Sequence, residues 1–172
     1  TSMAEADSPQ DTVAMLNTFF SAMARVIFEH EGNLDKFIGD CVMATWGPPI
    51  VHQDDAARAL RCALEMLEEV DAMNRLRVQS GKRPIEVGIG VNTGQAVVGY
   101  IGSSERHEFT AIGDSVNVAS RLCGLAKAGE VLATEQTVRL AGRGFRVEPV
   151  SVVQVKGKEK GVPTFRIIEF EG

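Results

Sequence analysis

The stretch "IEVGIGVNTGQAVVGYIG", residues 85–102, limits the possible folds more than any other part of the chain. Ile85, Val87, Ile89 and Val91 alternate with Glu86, Gly88, Gly90 and Asn92. Alternation with period two marks a strand, whose successive side chains point to opposite faces. One face is then branched aliphatic and the other nearly bare. Glycine weakens a strand interior and marks places where another backbone comes close. The segment therefore predicts a strand with one glycine-lined face. Asn92-Thr93-Gly94 reads as the turn to a partner strand around 96–101.

The rest of the chain supplies what such a strand needs around it. Ser8-Pro9 has the pattern of an N-cap followed by the first helical residue, with Asp11 at the third. Leu16, Phe19, Phe20, Met23, Val26 and Ile27 then form a stripe at helical spacing, and Gly32 is the expected stop. In "NLDKFIGDCVMATWG", two short β-like runs flank Ile38-Gly39-Asp40 and predict a hairpin. Asp54 or Asp55 begins a second long helix, with Ala57, Leu60, Leu64, Leu67 and Val70 inward. A helix from about 115 to 127, the strand "EVLAT", a short helix over 134–141 and a final hairpin around Lys156-Gly157-Lys158 complete the series. This order predicts an α+β sandwich with helices packed on a mainly antiparallel sheet. The chain opens on a helix-like preamble, where such a sheet calls for an early central strand.

A length of 172 residues fits one domain over 1–172, and 44% hydrophobic residues are enough for a core. The formal charge of −5 argues against a general nucleic-acid binder, but leaves room for a small phosphorylated ligand. Cys41, Cys62 and Cys123 are odd in number and widely spaced, which predicts reduced thiols in a cytoplasmic setting. No apolar run reaches the roughly 18–20 residues of a membrane span. "GIGVNTG" lacks the Lys-Ser/Thr ending of a phosphate-binding P-loop. His30, His52 and His107 form neither a metal-ligand spacing nor a catalytic triad.

Several residues carry a structural and a chemical reading at once. Asp40 at the hairpin is either turn chemistry or a carboxylate held for a hard divalent cation. Lys36 is either a solvated strand lysine or a cation on the same face as Asp40. Asp114 and Ser115 read as helix caps. Asn117 and Arg121, four residues apart, share a helix face. They are a surface pair, or they face a phosphate that the guanidinium can grip with two hydrogen bonds. Lys156, in "VKGKEKG", is a solubilising turn lysine or a point charge for phosphate.

Taken together, "LDKFIGDCVMATWG", "VGIGVNTGQAVVGYIG", "FTAIGDSVNVASRL" and "VQVKGKEKGV" resemble the catalytic domain of class III nucleotidyl cyclases, specifically bacterial adenylyl cyclases. The resemblance implies a ferredoxin-like α+β fold and a phosphorus–oxygen lyase that converts ATP to cyclic AMP and pyrophosphate. It implies two Mg²⁺ or Mn²⁺ ions per site, with Asp40 as one metal ligand. Lys36 and Thr110 would read the base, Lys156 would hold the β- and γ-phosphates, and Asn117 and Arg121 would act on the transition state. A head-to-tail homodimer would build each site from two chains. Thr110, where many members have Asp, resembles a subgroup that includes bicarbonate-stimulated enzymes, so bicarbonate or CO₂ is an implied effector. Two departures stand out. Gln95 occupies a position where some members have a phosphate-binding Arg. The family's first strand, with its first metal Asp, has no counterpart before "TSMAE". The alternatives are a guanylyl cyclase, against which Lys36 speaks, and a cyclase-like module that binds nucleotide or dimerises without turnover.

Overall fold

The computed structural model describes residues 8–153 and 161–172. In chain order the elements are α1 (Pro9–Glu29), β1 (Asn33–Ile38), β2 (Cys41–Thr45), α2 (Asp55–Gln79), β3 (Ile89–Val91) and β4 (Val97–Gly102). They continue with β5 (His107–Ile112), α3 (Asp114–Leu125), β6 (Val131–Thr134), α4 (Glu135–Ala141), β7 (Phe145–Val153) and β8 (Val162–Phe170). The fold is α+β, and every described strand pairing except one is antiparallel.

The long helices begin and end for local reasons. Ser8 Oγ accepts from the Asp11 amide at 3.1 Å, and Pro9 opens α1. Gly32 is not the left-handed residue at its end, since Glu31 takes that conformation with φ 54°. Gly32 is needed for space: a Cβ there would lie 2.6 Å from the Trp46 ring. At the start of α2, Asp54 makes no side-chain capping bond. Its carboxylate faces Arg58 Nε at 3.2 Å instead. Arg58 is buried and also pairs with Asp55 and with Glu31, which ties the end of α1 to the start of α2.

The strands form three ladders, β1-β2, β3-β6-β8-β7 and β4-β5. The expected turn from β3 into β4 does not form. β3 pairs in parallel with β6, Ile89 opposite Val131, while β4 pairs with β5 from Val97–Ile112 to Gly102–His107. Asn92 accounts for the difference. Its amide group donates to Ser115 O at 2.9 Å and accepts from Thr134 Oγ1 at 2.9 Å, so it is pinned to α3 and β6. The parallel pair needs a long crossover, which β4, β5 and α3 supply. The described strand is also shorter than the alternation predicts. Ile85 is buried, and its backbone is satisfied by the Asn74 side chain at 2.6 and 2.8 Å.

The glycine-lined face is the seat of α3. A Cβ on Gly88 would lie 2.5 Å from Ala126 O, and one on Gly90 would run into Cys123 N and Ala119 O. On the aliphatic side, Met15, Phe19 and Met23 of α1 pack with Val70 and Ile85, and Val42 and Val87 join them. Val42 lies on β2 and Val87 just before β3, yet no ladder joins these two strands among the described residues. The sheet is divided there, and the early central strand has no counterpart among the described residues. Leu60 and Ala63 of α2 pack on Val131, Ala133 and Ile167. β7 and β8 pair antiparallel, from Phe145–Phe170 to Val153–Val162, and the expected hairpin residues Lys156-Gly157-Lys158 lie outside the described residues. Among the described residues no helix is long and apolar enough to cross a membrane.

Candidate active site

Lys36 and Thr110 meet around a residue that the sequence reading passed over. The β1-β2 register shifts between Leu34 and Lys36, so Asp35 occupies a bulge. Its side chain is only 4% exposed. It accepts from Thr110 Oγ1 at 2.7 Å through Oδ1 and from the Ala111 amide at 3.1 Å through Oδ2. Lys36 Nζ lies 3.7 Å from Asp35 Oδ1 and 2.9 Å from Glu108 Oε2. Thr110 is buried. One carboxylate thus ties the β1-β2 hairpin to the β4-β5 hairpin, with both expected base-reading residues beside it. The hydrogen bond from Lys36 is the main reason Glu108 stays ionised to lower pH than an ordinary glutamate, and that same bond raises the Lys36 pKa. No local sequence signal marks Asp35, whose partners Thr110 and Ala111 lie on another hairpin.

Thr110 leads within a few residues into α3. Val118 and Leu122 are its buried face, while Asn117 and Arg121 are exposed on the other. Neither of the two makes a side-chain hydrogen bond or ion pair among the described residues. The helix is not capped by Asp114 or Ser115 as expected. Gly113 precedes it with φ 144°, a conformation that disfavours any side chain. Ser115 Oγ donates to Gln95 O at 2.6 Å and so fixes the helix start against the approach to β4. The Gln95 backbone is therefore committed, and its residue is exposed.

Asp40 is exposed at the two-residue tip between Ile38 and Cys41. Burial, and then the charge of Asp40, raise the Cys41 pKa. Burial is the main reason the Cys123 pKa is raised. Cys123 faces β3, with Sγ 3.5 Å from Gly88 O. Arg121, two residues earlier, is about 200° around the helix. The Asn117–Arg121 face therefore points away from β3. Among the described residues no group of three or more His, Cys, Asp or Glu is placed to hold a metal. The β4-β5 hairpin carries one further feature, an uncovered aromatic pair. Tyr100 is 75% and Phe109 50% exposed, with ring centroids 5.3 Å apart.

Residues 1–169 match the family model described as "Adenylate and Guanylate cyclase catalytic domain". The chain is 35% identical over 170 residues to "Adenylate cyclase 1" of Rhizobium meliloti (strain 1021), covering 98% of this chain and 26% of that protein. It is 36% identical over 176 residues to the adenylate cyclase of Anabaena cylindrica, covering 97% of this chain and 34% of the relative. It thus spans about a third or less of the length of these curated relatives. Among solved structures, the guanylyl cyclase Cya2 superposes with a TM-score of 0.92 at 35% identity, over 98% of this chain and 86% of that one. The adenylyl cyclase CyaB from P. aeruginosa superposes with a TM-score of 0.91 at 30% identity, over 96% and 86%. The glycine-seated α3, the paired hairpins and the match along nearly the whole chain lead to one assignment: this chain belongs to the adenylate and guanylate cyclase catalytic domain family.

Proposed function

We propose that the chain is an adenylyl cyclase domain, which forms cyclic AMP and pyrophosphate from ATP. The observation that carries this reading is the meeting of Lys36 and Thr110 around Asp35. An ammonium group can only donate a hydrogen bond, and adenine N1 can only accept one. The 6-amino group of adenine can donate to the Thr110 hydroxyl. Guanine presents an N1–H and a 6-carbonyl, the reverse pattern. The similarity to a guanylyl cyclase makes GTP the second reading.

In this reading the ribose 3′-hydroxyl attacks the α-phosphorus in line and pyrophosphate leaves. Asn117 orients the ribose, and Arg121 neutralises charge growing on the α-phosphate. The absence of a partner for either side chain among the described residues supports these roles. Such a reaction depends chiefly on positioning and charge stabilisation. Lys156 holds the outer phosphates. Asp40 supplies one carboxylate to Mg²⁺ or Mn²⁺, and a single carboxylate suits an ion that takes its other ligands from phosphates and water. When bound, two such ions assist ionisation of the 3′-hydroxyl and offset the charge of the leaving group. The reading assigns Asp40 and Arg121 to different sites of a head-to-tail homodimer. Bicarbonate would act on this assembly as an effector.

Product analysis with the full-length protein tests the base assignment. Lys36→Glu combined with Thr110→Cys should lower kcat/KM for ATP by at least tenfold more than for GTP. An unchanged ATP-to-GTP ratio in the folded double variant would remove Lys36 and Thr110 from base recognition.

A further inference from the structure

We infer that Asp35 sets the hydrogen-bond polarity of Thr110, and so makes the pocket accept a purine 6-amino group and refuse a 6-carbonyl. The inference rests on the nucleotide-site reading above and assigns to it a positioning residue. A threonine hydroxyl has one proton. Here that proton is directed at Asp35 Oδ1, 2.7 Å away. Asp35 cannot easily turn from this role, because its other oxygen is held by the Ala111 amide at 3.1 Å and its side chain is almost wholly buried. A carboxylate has no proton to return, so Thr110 Oγ1 has only lone pairs left for a ligand. A 6-amino group can donate to them. A 6-carbonyl would bring two acceptors together and leave a buried polar pair unsatisfied, which is strongly selected against. Without Asp35 the hydroxyl could rotate and serve either group. Asp35 thus removes an ambiguity inherent in threonine. On the neighbouring strand position Lys36, braced by Glu108 at 2.9 Å, adds a donor-only group of the same preference.

The test uses the full-length protein and equilibrium binding of nucleotides that cannot cyclise, measured by displacement of a fluorescent nucleotide. The ligands are 3′-deoxy-ATP, 3′-deoxy-GTP and the 3′-deoxy triphosphate of unsubstituted purine riboside, which lacks the 6-amino group. The wild type should bind 3′-deoxy-ATP at least tenfold more tightly than either of the others. In Asp35→Asn the Ala111 amide retains the side-chain oxygen, so the NH₂ group donates to Thr110 and frees its proton. The ATP-over-GTP preference should then fall by tenfold or more, a ratio that general loosening of the site would not move selectively. Thr110→Val, close in shape, should bind 3′-deoxy-ATP and the unsubstituted analogue within about twofold of each other.

An Asp35→Asn protein that melts as a folded domain and keeps the wild-type preference within twofold would overturn the inference and leave the adenylyl cyclase reading standing. If Asp35→Asn does not fold, equal binding of 3′-deoxy-ATP and the unsubstituted analogue by the wild type would overturn it. Failure of the wild type to bind any of the three, or a preference for guanine, would overturn both.

Discussion

Lys36 and Glu108 form an ion pair whose behaviour with pH follows from its sign. Glu108 has a lowered pKa because Lys36 donates to it. Its contribution is full above the ordinary glutamate pKa and is lost as pH falls through the lower, folded value. Lys36 has a raised pKa, chiefly from the same bond. Its contribution is full below the ordinary lysine pKa and is lost as pH rises through the higher, folded value. The pair is therefore intact across the whole neutral range. Both groups are open to water, so the pair acts on the orientation of Lys36 far more than on stability. Carboxyl titration by NMR should find Glu108 below the ordinary glutamate range, and Lys36→Met should return it to that range. An unchanged Glu108 titration in that variant would separate the two residues. The thiols differ for a simpler reason. Cys62, on the inward side of α2, is pushed up to about 12 by burial, while Cys41 is exposed. Cys62 is accordingly a core residue with little thiolate at neutral pH.

The decisive contact between elements is that of α3 with β3. The backbone of α3 approaches so closely at Gly90 that a methyl group would meet Cys123 N and Ala119 O, neither of which can rotate aside. Gly90→Ala should therefore lift α3, with a stability loss of about 1–3 kcal/mol, the usual range for overpacking. Because Asn117 and Arg121 ride on the same helix, activity should fall further than the loss of folded protein explains. Thermal melting beside turnover at equal folded fraction checks this, and a melting temperature within a degree of wild type would contradict the packing account. The bare face was legible in the alternation of residues 85–91, and so was its need for a close neighbour. Which element would fill it was not legible, since that depends on Asn92 bonding to α3 and β6 across the chain. The same holds in the site. That Asn117 and Arg121 share one face of α3 was readable from helical spacing. Asp35 was not, because its partners Thr110 and Ala111 are brought to it by the tertiary pairing of two hairpins. Ser115 looked like a cap because local sequence favours one, yet its hydroxyl found Gln95 O instead.

At the scale of the molecule, the assignment of Asp40 and Arg121 to different sites makes a definite claim about assembly. If each site draws these residues from two chains, full-length Asp40→Ala and Arg121→Ala proteins should each be nearly inactive. Mixed and allowed to exchange, they form heterodimers with one site intact and one doubly defective. Equal random exchange makes about half the dimers mixed, so roughly a quarter of wild-type activity should return. No recovery, with dimers and exchange verified by size and label mixing, would place both residues in one chain's site. The uncovered Tyr100–Phe109 pair offers such a partner an apolar contact on the hairpin that holds Thr110. The bond from Thr110 to Asp35 also bears on how such a domain can change over generations. A lineage that exchanged Thr110 for a residue without a donor would leave a nearly buried carboxylate short of a partner, at a cost of about 1–3 kcal/mol. A lineage that lost Asp35 first would release the Thr110 hydroxyl and, on the inference above, loosen its choice of base. On that inference, choice of base would be inherited with Asp35 and Thr110 as a linked pair, and the order of their replacement would decide whether the intermediate ancestor is unstable or merely indiscriminate.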